Sequence, residues 1–140
     1  MKIVFAADGS KYTKKALAFL VTHESIAGPE DEIFVLNVQG TIPSRVKRML
    51  GSAEVLAYQR EEADKVLDPI KRFLDRHAVK HRSAWVVGNP AQEIVRATQR
   101  EGVHLLVMGT HGHGLLGRAL MGSVAQRVIA DCDIPVLLVK

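Results

Sequence analysis

The sequence has few of the residues that mark several large classes of protein. It contains a single cysteine, Cys132, so no disulfide can form within the chain and a reducing compartment is expected. We predict Cys132 to be a small buried side chain at a helix end. No apolar run approaches the roughly 20 residues that span a bilayer, and the N-terminal apolar segment is too short for a signal peptide. We therefore expect a cytoplasmic protein without a membrane partner.

Aromatic side chains are also scarce, and the charged residues are not predominantly of one sign. Aromatics make up 5% of the chain, which leaves few rings for stacking on nucleic-acid bases. The formal net charge is +4, but acidic residues are interleaved with the cations along the chain. A nucleic-acid partner is therefore not expected. His111 and His113 have no cysteine or carboxylate nearby in sequence, so a metal site built from protein ligands alone is not expected either.

Short apolar runs alternate regularly with helical patterns. The runs predict five strands, at Ile3–Ala7, Ile33–Val38, Ser83–Val87, His104–Met108 and Pro135–Val139. The strands are nearly continuously apolar, which indicates that both faces of the sheet are covered. The sequence therefore predicts one α/β domain over residues 1–140, with a doubly wound, Rossmann-like parallel sheet of five strands and helices on both faces.

Turn and cap residues refine this prediction. Ser10 or Thr13 is expected to cap the first helix, and Asn89 the helix after the third strand, with Gln92 reaching back as in a capping box. Residues 39–51 are predicted as a loop. The long amphipathic pattern that follows predicts one helix, which Pro69 should kink or locally break.

The most informative segment is rich in glycine. Five of the 11 glycines fall between Gly109 and Gly122, after an apolar run and before the helical pattern Ser123–Asp131. A strand, a glycine-rich loop and a helix N-terminus together form the arrangement that binds phosphate. Glycine lets backbone N–H groups approach an anion, and the helix start adds unpaired donors.

Two compact phosphate-binding motifs fit these glycines only in part. Gly112–Gly117 matches the dinucleotide fingerprint G-x-G-x-x-G, but the following strand ends in Lys140 rather than in the required acidic residue. Gly112–Ala119 has the glycine spacing of a Walker A loop, with Arg118 and Ala119 where lysine and a hydroxyl residue are needed. A purely structural loop remains an alternative.

A third motif, with more widely spaced glycines, is matched at all of its positions. Gly109, Gly112, Gly122 and Ser123 follow the pattern G-x2-G-x9-G-[ST], and the first strand ends in Asp8-Gly9-Ser10. With the five-strand organisation, these motifs resemble the ATP-binding subgroup of the universal stress protein family across the whole chain. The resemblance implies the strand order 3-2-1-4-5, which reverses between strands one and four. Ligands bind at such a reversal, outside the carboxyl ends of the strands.

The resemblance also implies a nucleotide site. Asp8 would contact the ribose or adenine side, Ala7 and Val38 would line the base pocket, and the start of the last helix would hold the phosphates. The full implied set is Ala7, Asp8, Val38, Met108, Gly109, His111, Gly112, Gly122, Ser123, Val124 and Ala125. Many ATP-binding members have Ser or Thr where this chain has Ala125. Asp8 and Ser123 could instead be simple helix caps.

The implied ligand is ATP, or alternatively ADP or AMP, with Mg²⁺, held by a nucleotide-dependent stress or signalling module. No catalytic residue is assigned. One alternative is a slow ATPase or self-phosphorylating phosphotransferase, for which Asp8, His111, His113 and Arg118 are candidates. Another is an interaction protein that binds no nucleotide. The family's usual pairing implies a homodimer through Ile134–Val139, beside an unknown protein partner.

Overall fold

The computed structural model describes residues 1–113 and 121–140, which alternate between strands and helices. Gly114, Gly117, Arg118 and Ala119, which enter the two compact motifs, lie outside the described residues. The elements are β1 Lys2–Ala6, α1 Lys11–Thr22, β2 Glu32–Gln39, α2 Ser44–Leu50, α3 Ser52–Arg76, β3 His81–Val87, α4 Pro90–Glu101, β4 Leu105–Gly109, α5 Ser123–Asp131 and β5 Val136–Val139. Across these ranges, no helix has both the length and the apolarity that crossing a membrane requires.

The five strands form one parallel sheet in the order β3-β2-β1-β4-β5. At its centre, Phe5 of β1 lies opposite Val35 of β2 on one side and Val107 of β4 on the other. The predicted sheet and its strand order are therefore confirmed, with strand ends within two residues of the expected positions. The order places β1 beside β4 at the reversal and β5 at an edge.

Both faces of the sheet are covered, as the continuous apolar strands indicate. Successive β1 side chains point to opposite faces, so Ile3 and Phe5 join a core with α1 and α3, while Val4 and Ala6 join a second core with α4 and α5. All four side chains are buried. Because α1, α3, α4 and α5 pack on the sheet, the loops after the strands are held in fixed positions.

The helix ends follow the cap residues in the sequence. The Ser10 hydroxyl accepts from the Thr13 N–H at 3.3 Å, and Asn89 Oδ1 accepts from the Gln92 N–H at 3.1 Å. The reciprocal bond from the Gln92 side chain is not made in the part of the chain that the structure describes. Cys132 ends α5 as expected, but it is only partly buried.

The expected loop at 39–51 contains a helix, so that prediction is wrong. Residues Ser44–Leu50 form α2, and none of its side chains is buried. Its Arg, Lys, Met and Leu residues favour helix, but an unburied helix shows no apolar stripe directed at a core. Gly51, with φ of +87°, separates it from α3.

The helix α3 is continuous over 25 residues and is not broken at Pro69. The single helix is thus confirmed, whereas the local break is not. A buried stripe holds the helix against the sheet on both sides of the proline, through Val55, Gln59, Ala63, Leu67, Ile70 and Leu74. Pro69 itself is exposed, so its ring meets solvent rather than the core.

Replacing this proline should stabilise the protein. Proline in a helix interior costs about 3 kcal/mol, and its restriction of the unfolded chain offsets up to about 1 kcal/mol. We expect Pro69→Ala to raise the free energy of unfolding by about 2 kcal/mol in urea denaturation. Ala57→Pro, at an exposed position of the same helix, should lower it. A destabilised Pro69→Ala variant would show that the ring contributes packing.

Candidate functional site

A cavity of about 390 Å³ opens at the carboxyl edge of the sheet, between the ends of β1 and β4. This volume is within the range of small-molecule sites. It forms because the strand order reverses here, so the chains leaving β1 and β4 diverge. All eleven residues that the family resemblance implies line it, namely Ala7, Asp8, Val38, Met108, Gly109, His111, Gly112, Gly122, Ser123, Val124 and Ala125.

Seven further residues line the cavity and are not in the implied nucleotide-binding set, although one of them, His113, is a candidate in the alternative of a slow ATPase. They are Ala6, Thr13, Leu36, Pro90, Ile94, Thr110 and His113. The helical pattern of α4 predicts that Ile94 faces inward, but only the sheet topology brings the first turn of α4 beside the end of β2. Thr13 is buried beneath Asp8, with 3% of its surface exposed. The sequence indicated Thr13 only as a possible helix cap.

The two ends of the cavity differ in character. Leu36 and Val38 from β2, together with Ile94 from α4, make one end apolar. The other end is formed by polar residues of the loops and the N-terminus of α5, including Asp8, Thr110 and Ser123. An amphipathic ligand with one flat apolar part and one anionic part therefore matches the cavity better than a uniformly polar one.

The backbone at the end of β1 is held by buried hydrogen bonds. The Ala7 N–H donates to Leu36 O at 2.9 Å, and Asn37 Nδ2 donates to Ala7 O at 2.8 Å. Asn37 is 2% exposed, and as a polar residue inside an apolar run it was a sequence signal for such a role. These bonds fix the position from which Asp8 leaves the strand.

One oxygen of the Asp8 carboxylate accepts hydrogen bonds that stabilise the fold. Oδ1 accepts from the Ser10 N–H at 2.9 Å and from the Thr13 hydroxyl at 2.8 Å. Within residues 1–113 and 121–140, Oδ2 accepts no hydrogen bond. The cap of α1 is Ser10 rather than Asp8. Asp8 thus stabilises the turn before α1 while keeping a charged acceptor available.

An added side chain at Gly109 or Gly112 would meet neighbouring atoms. A Cβ at Gly109 would lie 2.5 Å from Tyr12 Cβ and 3.1 Å from the Tyr12 carbonyl carbon, so α1 requires glycine there. A Cβ at Gly112 would lie 2.8 Å from Asp8 Oδ2. The lack of a side chain at Gly109 lets α1 pack against β4, and the lack of one at Gly112 leaves room for the Asp8 carboxylate.

The start of α5 presents backbone donors to the cavity. Its cap residue is Gly122, which supplies no side-chain hydrogen bond, and Ser123 is the first helical residue rather than the cap. The N–H groups of Ser123, Val124 and Ala125 precede the first helical bond, from Gln126 N–H to Gly122 O, and find no backbone acceptor in the described ranges. Such donors at a helix N-terminus bind anions.

One backbone donor at this end of the loop is already paired. The Gly122 N–H donates to Thr110 O at 2.7 Å. This bond joins the two described ends of the glycine-rich loop. It places Ser123, rather than Gly122, at the start of the donor set.

The two loop histidines make different contacts. His113 Nε2 lies 2.7 Å from Asp8 O, which ties the loop to the end of β1. The ring of His111 lies 4.8 Å from the Tyr12 ring, and its Nδ1 is 2.7 Å from Thr110 Oγ1. No group of three or more His, Cys, Asp or Glu side chains arranged to hold a metal is found in the described part of the chain.

Comparison with known proteins gives a consistent result over the full length. A family model described as "Universal stress protein family" matches residues 1–140. The universal stress protein MJ0531 of Methanocaldococcus jannaschii is 35% identical over 141 residues, covering 99% of this chain and 81% of that protein.

Solved structures agree. The structure of MJ0577 from the same organism superimposes with a TM-score of 0.86 at 32% identity, covering 99% of this chain and 94% of that one. The universal stress protein of Archaeoglobus fulgidus, solved in complex with dAMP, superimposes with a TM-score of 0.69 at 21% identity, covering 100% and 98%. At that identity, the second likeness shows the fold alone.

The contact at Gly109 predicts a stability effect that is independent of any ligand. Gly109→Ala forces the added methyl against the Tyr12 backbone, and we expect it to lower the free energy of unfolding by about 1–3 kcal/mol. Gly40→Ala is the matched control, because its Cβ meets nothing within 4 Å. Denaturant unfolding without nucleotide measures both. Equal stability of the two variants would contradict the assignment of Gly109 to helix packing.

Proposed function

We propose that this chain, which belongs to the universal stress protein family, binds an adenine nucleotide in the cavity and acts as a nucleotide-dependent stress or signalling module. One observation carries the proposal. The N–H groups of Ser123, Val124 and Ala125 meet a cavity whose far end is apolar. A relative of this fold was solved with dAMP, which supports the same ligand class.

The cavity accepts such a ligand in one orientation. The phosphates would lie against the first turn of α5, where backbone donors and the positive end of the helix dipole favour negative charge. The base would lie between Val38 and Ile94, which provide apolar contact area. The ribose between them would then lie near Asp8 Oδ2, a charged acceptor for its hydroxyls.

The proposed ligand is ATP with Mg²⁺. Asp8 is the only carboxylate among the described lining residues, so the protein alone cannot hold the ion. Mg²⁺ keeps several waters and is often bound by one or two carboxylates together with substrate phosphates. The cavity therefore fits an ion that arrives with the nucleotide and is held by its phosphates and by water.

Binding is better supported than hydrolysis. Catalysis requires a base that positions a water molecule and a charge clamp on the phosphoryl group. Among the described lining residues, Asp8 commits Oδ1 to the turn, and His113 Nε2 contacts Asp8 O. A module that reports nucleotide occupancy through the order of its loop needs neither group for chemistry.

A homodimer through Ile134–Val139 is also proposed. The strand β5 pairs with β4 and lies at the edge of the sheet in the described structure. Its residues Val136–Val139 are partly exposed, and an open apolar edge favours pairing with a second copy.

Substitution at Ser123 tests the phosphate contact. Ser123 is the first residue of α5 and Gly122 before it is extended, so proline is tolerated there and removes the N–H. We expect Ser123→Pro to bind ATP about 10- to 100-fold more weakly than Ser123→Ala. Calorimetry with ATP and with adenosine measures this, and Ser123→Ala is the control for loss of the hydroxyl.

The two ligands separate binding from folding. Adenosine has no phosphate, so its affinity should be equal in both variants. Equal ATP affinities in the two variants would contradict phosphate binding at α5. The same would follow if the unaltered chain bound no ATP at millimolar concentration.

Sedimentation tests the dimer. Velocity runs over a range of protein concentrations should show a species of twice the monomer mass. A monomer at every concentration would contradict pairing through β5.

A further inference from the structure

We propose that Thr13 is a positioning residue, which fixes the Asp8 carboxylate so that Oδ2 faces the ribose of the bound nucleotide. The inference rests on the proposed function and concerns how the site distinguishes nucleotides by their sugar. It is carried by a buried hydrogen-bond pair beneath Asp8.

Thr13 contacts Asp8 twice. Its Oγ1 accepts from the Asp8 N–H at 3.1 Å and donates to Asp8 Oδ1 at 2.8 Å. The residue is 3% exposed, whereas Asp8 is exposed. The bond therefore lies on the protected side of the carboxylate, where water does not compete with it. One hydroxyl thus holds both the backbone and the side chain of Asp8.

Two hydrogen-bond donors together fix the orientation of the Asp8 carboxylate. The Ser10 N–H at 2.9 Å and the Thr13 hydroxyl both bind Oδ1, which leaves Oδ2 on the side of Gly112. A Cβ at Gly112 would lie 2.8 Å from Oδ2, so that position is open only because residue 112 is glycine. Removing the hydroxyl leaves a single N–H on Oδ1 and frees the carboxylate to rotate.

In this arrangement, Asp8 Oδ2 accepts a hydrogen bond from a ribose hydroxyl of the nucleotide. A carboxylate repels the phosphates in the absence of a metal, and the base with its amino donor would lie between Val38 and Ile94. The O–H donors of the ribose are therefore the partners left for Asp8 Oδ2. A nucleotide lacking the 2′ and 3′ hydroxyls has no donor for Oδ2. Its affinity should not depend on how the carboxylate is held.

The experiment compares ATP with 2′,3′-dideoxy-ATP by calorimetry in EDTA, where Mg²⁺ cannot bridge Asp8 to the phosphates. Thr13→Val keeps the shape and removes the hydroxyl, and Thr13→Ser restores it. Thr98→Val is the matched control, because Thr98 is also a buried threonine, at 4% exposure, and its Oγ1 bonds only Val95 O among the described contacts.

We expect Thr13→Val to weaken ATP binding about tenfold and to leave dideoxy-ATP binding unchanged. Thr13→Ser and Thr98→Val should bind ATP as the unaltered chain does. In combination with Asp8→Asn, Thr13→Val should cause no further loss, because the two changes remove the same interaction.

Two results would overturn the inference alone. One is unchanged ATP binding by Thr13→Val, and the other is an equal loss of ATP and dideoxy-ATP, which would indicate general damage to the site. If the unaltered chain bound neither nucleotide, in EDTA or with Mg²⁺, the proposed function would fail and this inference with it.

Discussion

The parallel pairing of β1 with β4 is the constraint on which the site depends. It brings Ala6 opposite Met108, so the chains that follow both strands leave the same edge of the sheet side by side. The helix α1 turns to one face and the loop toward α5 to the other, because β2 and β5 occupy the two outer sides of this pair. The cavity is the space between these diverging segments.

Close packing at this junction explains why glycine recurs there. The Tyr12 backbone approaches β4 so closely that Gly109 has no room for a side chain, and Asp8 Oδ2 fills the space beside Gly112. His113 contacts Asp8 O, and Gly122 N–H binds Thr110 O. The turn after β1 and the loop after β4 are therefore one connected unit. A ligand that contacts either part would therefore also affect the other.

Much of the fold could be predicted because burial leaves a periodic pattern. The strands are apolar on both faces, and Ser10, Asn89 and Gly102 mark helix ends by chemistry that needs no tertiary context. The helix α2 could not be predicted this way, since none of its side chains is buried and it therefore has no apolar stripe. Pro69 did not break α3 because its ring faces solvent and the buried stripe continues past it.

The eleven residues that the family resemblance implies all line the cavity, whereas seven further lining residues are not among them. Spacing gives no information on hydrogen-bond partners, so the Gly122 N–H that binds Thr110 and the Thr13 hydroxyl that binds Asp8 emerge only from three-dimensional contacts.

Phosphate binding at the start of α5 is tested most directly by titrating ¹⁵N-labelled protein with Mg·ATP and following the backbone amide resonances. We expect saturable shifts of the Ser123, Val124 and Ala125 amides, together with Val38 and Asp8, while residues of α2 and the far end of α3 stay unchanged. Saturable shifts that omitted the three α5 amides would contradict this binding mode, because the nucleotide phosphates would then lie somewhere other than the helix N-terminus.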